Sequence, residues 1–127
     1  MALNNILVTE NEGSKPIPEG LYRACVKEIV ENNGQHGVYL RIVFEIIDGT
    51  YKGTVKNTLA SLKLYKSQDG KNSKLFDIVK AVLKTEPTVG SSLDLTQLIG
   101  KPCQILVMNG KVTDGIQYQE ISKVLPE

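Results

Sequence analysis

Tyr39 and Arg41 stand two residues apart in the stretch "GVYLRIVFEIIDGTYKGTVKNTLAS", and Tyr51, Lys52, Lys56 and Thr58 follow within it. Lys63, Tyr65 and Lys66 come just after, and Tyr118 lies near the end of the chain. Phenol rings offer flat faces on which planar bases stack, and cations track a phosphate backbone. Rings interleaved with lysine and arginine are therefore the side-chain set that grips single strands without reading their sequence. The charge distribution agrees. Net charge is only +1, yet Lys52, Lys56, Lys63, Lys66, Lys71 and Lys74 fall between Thr50 and Leu75 against the single acid Asp69. Such clustering gives a near-neutral chain a local positive field.

Other chemistry finds less material. The one histidine, His36, sits in the turn-like "NNGQHG", where an exposed polar role is the ordinary one. Cys25 and Cys103 are far apart and flanked by apolar residues, which suits reduced packing thiols rather than a metal site or a disulfide frame. "SQDGKNSK" lacks the spacing of a phosphate-wrapping loop. Glu45 and Asp48 are the nearest approach to a carboxylate pair and fall at a strand end. The expectation is a non-enzymatic chain that works without a cofactor or metal.

The elements that must position these residues follow from periodicity. A length of 127 residues with 41% hydrophobic and 23% charged residues suits one domain with its own core. Residues 1–17 read as a polar arm carrying one apolar patch at Ile6, Leu7 and Val8, and residues 18–125 as the domain. "MALNNILVTENEG" has neither the basic start nor the long apolar run of a signal peptide, and no stretch is apolar enough for a membrane span, so a cytoplasmic protein is expected.

"EGLYRACVKEIV" reads as a first strand with Tyr22, Ala24 and Val26 facing the core. Its apolar phase then jumps to Ile29, the mark of a bulge near Lys27 and Glu28. A second strand spans 37–47, with Val38, Leu40, Ile42, Phe44 and Ile46 on its core face and Tyr39, Arg41, Val43, Glu45 and Ile47 on the other. After a turn at Asp48-Gly49, "TVKNTLASL" returns as a third strand, with Lys56 and Thr58 on the face shared with Tyr39 and Arg41. "SKLFDIVKAVLK" is a helix capped by Ser73, its stripe formed by Leu75, Ile78, Val79, Val82 and Leu83, and it ends before Pro87. "LDLTQLIG" suggests a short helical turn. "KPCQILVM" and "IQYQEISKVL" are the fourth and fifth strands, joined through "NGKVTDG".

Three meandering strands, a helix and two further strands follow the order of the OB-fold, a five-stranded Greek-key barrel, all β but for the one helix. The runs "PEGLYRACVKEI", "YLRIVFEIIDGTYKGTVKNTL", "KLFDIVKAV" and "LIGKPCQILV" resemble small phage and prophage proteins of replication and recombination modules. The resemblance covers residues 16 to 125. It implies an OB-type fold, a single-stranded DNA-binding role and no catalytic signature. The expected interface comprises Tyr39, Arg41, Tyr51, Lys52, Lys56, Thr58, Lys63, Tyr65, Lys66 and Tyr118, with single-stranded DNA, or equally RNA, as partner.

Each residue has a plainer role to be weighed. Tyr22 belongs to the core phase, Tyr51 can pack over Gly53, and Arg41 can pair with Glu45 across the strand. An alternative function class is an OB-type adaptor or homo-oligomerisation module, in which Val43 and Ile47 expose apolar area and residues 6–8 lend a strand to a second copy.

Overall fold

The computed structural model describes residues 16–35, 37–62, 72–87 and 93–127. The described residues hold five strands and one helix: β1 (Gly20–Gly34), β2 (Gly37–Ile46), β3 (Val55–Ser61), α1 (Lys74–Leu83), β4 (Pro102–Thr113) and β5 (Ile116–Leu125), with a short 3-10 turn at Leu95–Leu98 before β4. No helix among the described residues is long and apolar enough to cross a membrane.

The strands form one antiparallel sheet in the order β3-β2-β1-β4-β5. The sheet is not closed. Among the described residues β3 bonds only to β2 and β5 only to β4, although the sheet curls enough to bring the two outer strands into contact. The curl has a local cause. The register of β1 on β2 slips between Val26 and Glu28, the bulge expected from the phase jump, and a bulge bends its strand. Tyr22, Ala24 and Val26 before it, and Ile29 after it, consequently all turn to the concave side.

The core fills that concavity. Leu40, Ile42, Phe44 and Ile46 of β2 are buried, whereas Val38, near the hairpin end, is exposed. Ala24 and Val26, then Cys103, Ile105 and Val107, then Ile121 supply the neighbouring strands. α1 lies across the open side against β3, β4 and β5, inserting Leu75, Ile78, Val79 and Val82. Its start is fixed as expected: the Ser73 hydroxyl accepts from the Phe76 N–H at 3.2 Å, and Asp77 sits in the first turn where the helix dipole favours an acid. The final hairpin differs from expectation. β4 runs through Asn109-Gly110 to Thr113, and the reversal falls at Asp114-Gly115, where φ is 53° and 77°. Two successive positive φ values make the primed turn that matches strand twist. The earlier Asn-Gly pair is absorbed as a second irregularity, between Asn109 and Val112.

Candidate functional site

On the convex side of the sheet, Tyr39 and Arg41 of β2 do share a face. Their cross-strand neighbours are Asn32 and Val30 on β1, and Ser61 and Leu59 on β3. The β1–β2 hairpin closes at Gly34 opposite Gly37, and a Cβ on Gly34 would come within 3.0 Å of Tyr39 Cε1. Glycine is thus what allows the ring to lie against the hairpin backbone. Gly34, Gln35, Val38, Tyr39, Leu59 and Ser61 line an open groove of about 440 Å³ there.

Arg41 is exposed beside this groove, and among the described residues it makes no hydrogen bond or ion pair. The expected pairing with Glu45 does not form, because the Glu45 carboxylate turns to Lys27 on the bulge, at 3.5 Å. The apolar character of the face also lies elsewhere than expected. Val43 is buried and Ile47 half-buried, while Leu59 is 52% and Leu62 49% exposed.

The remaining expected site residues do not gather at this groove. Lys56 and Thr58 are on the opposite face from Tyr39 and Arg41, a correction to the expected phase of β3. Register decides it: Lys56 stands opposite Phe44 and Thr58 opposite Ile42, both core positions, and directly opposed residues share a face. Both side chains are buried. Tyr51 and Lys52 sit in the turn beyond the other end of β2, whose last residue, Ile46, is seven residues from Tyr39, or about 24 Å along an extended strand. Tyr51 does not pack over Gly53; its ring meets Tyr22 edge-on at 6.0 Å, both rings resting against the core. Tyr22 also donates its hydroxyl proton to the Pro18 carbonyl. Lys52 is exposed. Tyr118 is 49% exposed on β5, on the far edge of the sheet from β3. His36, Lys63, Tyr65 and Lys66 lie outside the described residues, as does the patch at Ile6, Leu7 and Val8. The chain leaves β3 at Ser61, the residue paired with Tyr39.

A second polar arrangement, at the gap between β3 and β5, was not anticipated. The Lys56 ammonium donates to Gln119 Oε1 at 3.0 Å, joining the two outer strands through side chains. The Gln119 amide also holds the backbone of Ile17 twice, accepting from its N–H at 2.9 Å and donating to its carbonyl at 2.6 Å. Gln119 Nε2 donates to Asn109 Oδ1 as well, at 2.8 Å, and Glu19 accepts from the Asn109 N–H at 2.7 Å. Burial pulls the pKa of Lys56 below its usual value. The signal for this cluster is legible in "IQYQEI", where glutamine occupies the inward phase that Ile121 completes.

Near the start of β1, Arg23 bridges Asp48 and Glu127, both at 2.8 Å, and Lys84 stands 3.9 Å from Glu127. The hydrogen bond from Arg23 holds the Glu127 carboxyl below its usual pKa. These groups are exposed or half-exposed and bind one another, tying the β2–β3 turn to the C-terminal residue. Burial pushes the Cys103 thiol up to about 12 and raises that of Cys25, so neither is a thiolate near neutral pH. Among the described residues no group of three or more histidine, cysteine or acidic side chains could hold a metal ion. No protein-family model and no curated protein matches this chain.

Proposed function

We propose that the chain binds single-stranded DNA, tolerant of sequence, through the convex groove at Tyr39. The observation that carries this reading is the unpartnered, exposed guanidinium of Arg41 beside a tyrosine ring and the exposed Leu59. An arginine bound to nothing among the described residues keeps its charge for a phosphate, and the ring and leucine offer apolar area to bases. Lys63, Tyr65 and Lys66 follow β3 within a few residues of Ser61, which supports counting them with this groove. Lys52 and Tyr118 would meet only a longer strand. Lys56, Thr58 and Tyr51 are assigned to the structure of the domain, not to contact with DNA.

Two further considerations support the reading. The strand order, with β4 beside β1 and with β3 and β5 outermost, is that of an OB barrel opened between its third and fifth strands. OB-folds bind oligonucleotides on the face of strands two and three and the adjoining loops. The resemblance to small phage replication and recombination proteins points the same way. The role would be protective, non-catalytic and free of cofactors.

The test is a labelled oligothymidine titrated with protein at 50 mM and 200 mM salt. Binding should weaken steeply with salt, because phosphate contacts release counterions. Arg41→Glu and the double variant Lys63→Glu/Lys66→Glu should each weaken it further and flatten the salt slope. Absence of binding at low salt overturns the proposal. A second reading has its own observation: Val38, Leu59 and Leu62 form an exposed apolar rim on the same end of the sheet, as an adaptor surface would. That contact would be with protein, and salt would hardly change it.

A further inference from the structure

Away from that groove, the cleft between α1 and β5 has the makings of a small-molecule site, and we propose that it binds an aliphatic carboxylate, a small organic anion with an apolar tail. The cleft holds about 450 Å³, within the range of about 300–1,000 Å³ that small-molecule sites occupy. Three strands and helices build it. β3 contributes Thr58, α1 contributes Lys74 and Ile78 one turn apart on the same face, and β5 contributes the run from Ile121 to Leu125. Lys56 meets Gln119 across the two outer strands, so Thr58, two residues on, stands level with Ile121.

Thr58 is the observation that points to a ligand. It is only 6% exposed, and its hydroxyl makes no hydrogen bond among the described residues. No fully enclosed side-chain nitrogen or oxygen among those residues lacks a partner. This hydroxyl is therefore the part of Thr58 that reaches open space, and the cleft is the space Thr58 lines. A sheltered hydroxyl costs free energy until something bonds to it. The charges around it favour an anion. Lys123 is exposed at the rim and makes no ion pair or hydrogen bond among the described residues. Lys74 stands at the positive end of the α1 dipole, with Glu120 in its neighbourhood. Asp77, the acid of the cleft, already accepts from Asn72 Nδ2 at 3.3 Å.

The walls select the rest of the molecule. Ile78, Ile121, Val124 and Leu125 are aliphatic, and Ile121 to Leu125 is about 13 Å of strand, long enough for a chain of eight carbons. A phosphate or sulfate fits less well. Its oxygens need several donors at once, and beside one hydroxyl these walls would leave most of them unsatisfied. A carboxylate asks for less: one oxygen accepts from Thr58, and the other faces the lysines while the tail covers the isoleucines.

The test is an NMR titration of the isotopically labelled full chain with octanoate, with acetate, octanol and inorganic phosphate as comparison ligands. Octanoate should shift the amide resonances of Thr58, Ile78 and Ile121 saturably, and should bind at least tenfold more tightly than any of the other three. Thr58→Val keeps the side chain's shape and removes its hydroxyl, and should weaken octanoate at least fivefold. Lys123→Glu, at an exposed position that the fold does not depend on, should weaken it as well, whereas Tyr39→Ala should leave it unchanged. Absence of a saturable shift with octanoate overturns the proposal. So does octanol binding as tightly as octanoate, which would make the cleft an apolar trap, or phosphate binding more tightly, which would make it a general anion site. Full octanoate affinity in both Thr58→Val and Lys123→Glu overturns it too. None of these outcomes touches the oligonucleotide titration, which reads the convex face.

Discussion

Arg41 and Lys56 are both cations on the β2–β3 ribbon, and they live in opposite conditions. Arg41 projects from the convex face, exposed and without a partner among the described residues. Lys56 points into the concavity, buried, with its ammonium on Gln119. The difference teaches that a cluster of positive residues in sequence is not yet a surface. Strand phase divides it, giving one cation to the world outside and the other to the cohesion of the fold. Substitutions on the two sides should therefore part company in what they change.

The largest effect is expected at Gln119, where stability and not binding is at stake. Gln119→Ala removes its bonds to Lys56, to Asn109 and to both polar groups of Ile17, and each such bond is worth about 1 kcal/mol net. Urea denaturation should show a loss of about 4 kcal/mol, whereas Arg41→Ala should stay within about 0.5 kcal/mol of the parent. Similar losses for the two would erase the contrast.

Alkaline titration sharpens it. The Cys103 thiol is raised from 9.0 to about 12 in the fold, so its contribution is complete below pH 9 and is lost between pH 9 and about 12. Over that window one bound proton corresponds to a fall of up to about 1.4 kcal/mol per pH unit. Cys103→Ala should remove this slope while leaving some loss of packing at neutral pH. Lys56 works with the opposite sign. Its folded pKa is lowered, so the unfolded chain holds the extra proton, and stability rises as pH climbs from the lowered value toward 10.5. Lys56→Met should abolish that rising component, as followed by urea midpoints across the alkaline range.

Smaller in free energy, but decisive for the groove, is Tyr39→Ala. It should weaken oligothymidine binding by about 1–3 kcal/mol, the usual worth of one base stack, with little change in salt slope. Lys56→Gln should leave the same titration unmoved, since its side chain lies on the other face. Smallest of all, Arg23→Ala should shift stability by no more than about 0.5 kcal/mol, because its two carboxylate partners stay in water. Thermal melts of the pair would register it.

Much of this division could be read in advance, and the failure is instructive. The core phase of β2, the bulge at Lys27, the Ser73 cap and the element order all follow from strong local patterns, and each is found in the structure. The phase of β3 was misread because Val55 and Leu59 look like its inward residues, while Lys56 and Thr58 look solvated. A strand at an open edge, however, faces a thinner core, and there a lysine can run its apolar stem inward and meet an amide at the gap. The eight residues linking β2 to β3 set that register through the Gly53 N–H donating to the Ile46 carbonyl at 2.8 Å, a bond that no period reveals. Likewise Asn109-Gly110 and Asp114-Gly115 both carry turn chemistry, and only the pairing partners of β5 decide which one reverses the chain. The dispersal of the expected interface follows from these few choices. Tyr39 and Arg41 stayed together because they share one strand; residues on different strands depended on register.

The bulge between Val26 and Glu28 has a consequence for how this protein can vary. It separates β1 into two stretches whose inside-outside alternation is offset by one residue, so Ile29 turns to the same side as Val26, and the hairpin beyond Ile29 and Leu40 extends past the core. Adding or removing residues in matched pairs beyond the bulge would lengthen or shorten the hairpin beside Tyr39 while every core side chain keeps its direction. An odd change there would turn Ile29 outward instead. The reach of the groove can thus be retuned two residues at a time, without renegotiating the interior.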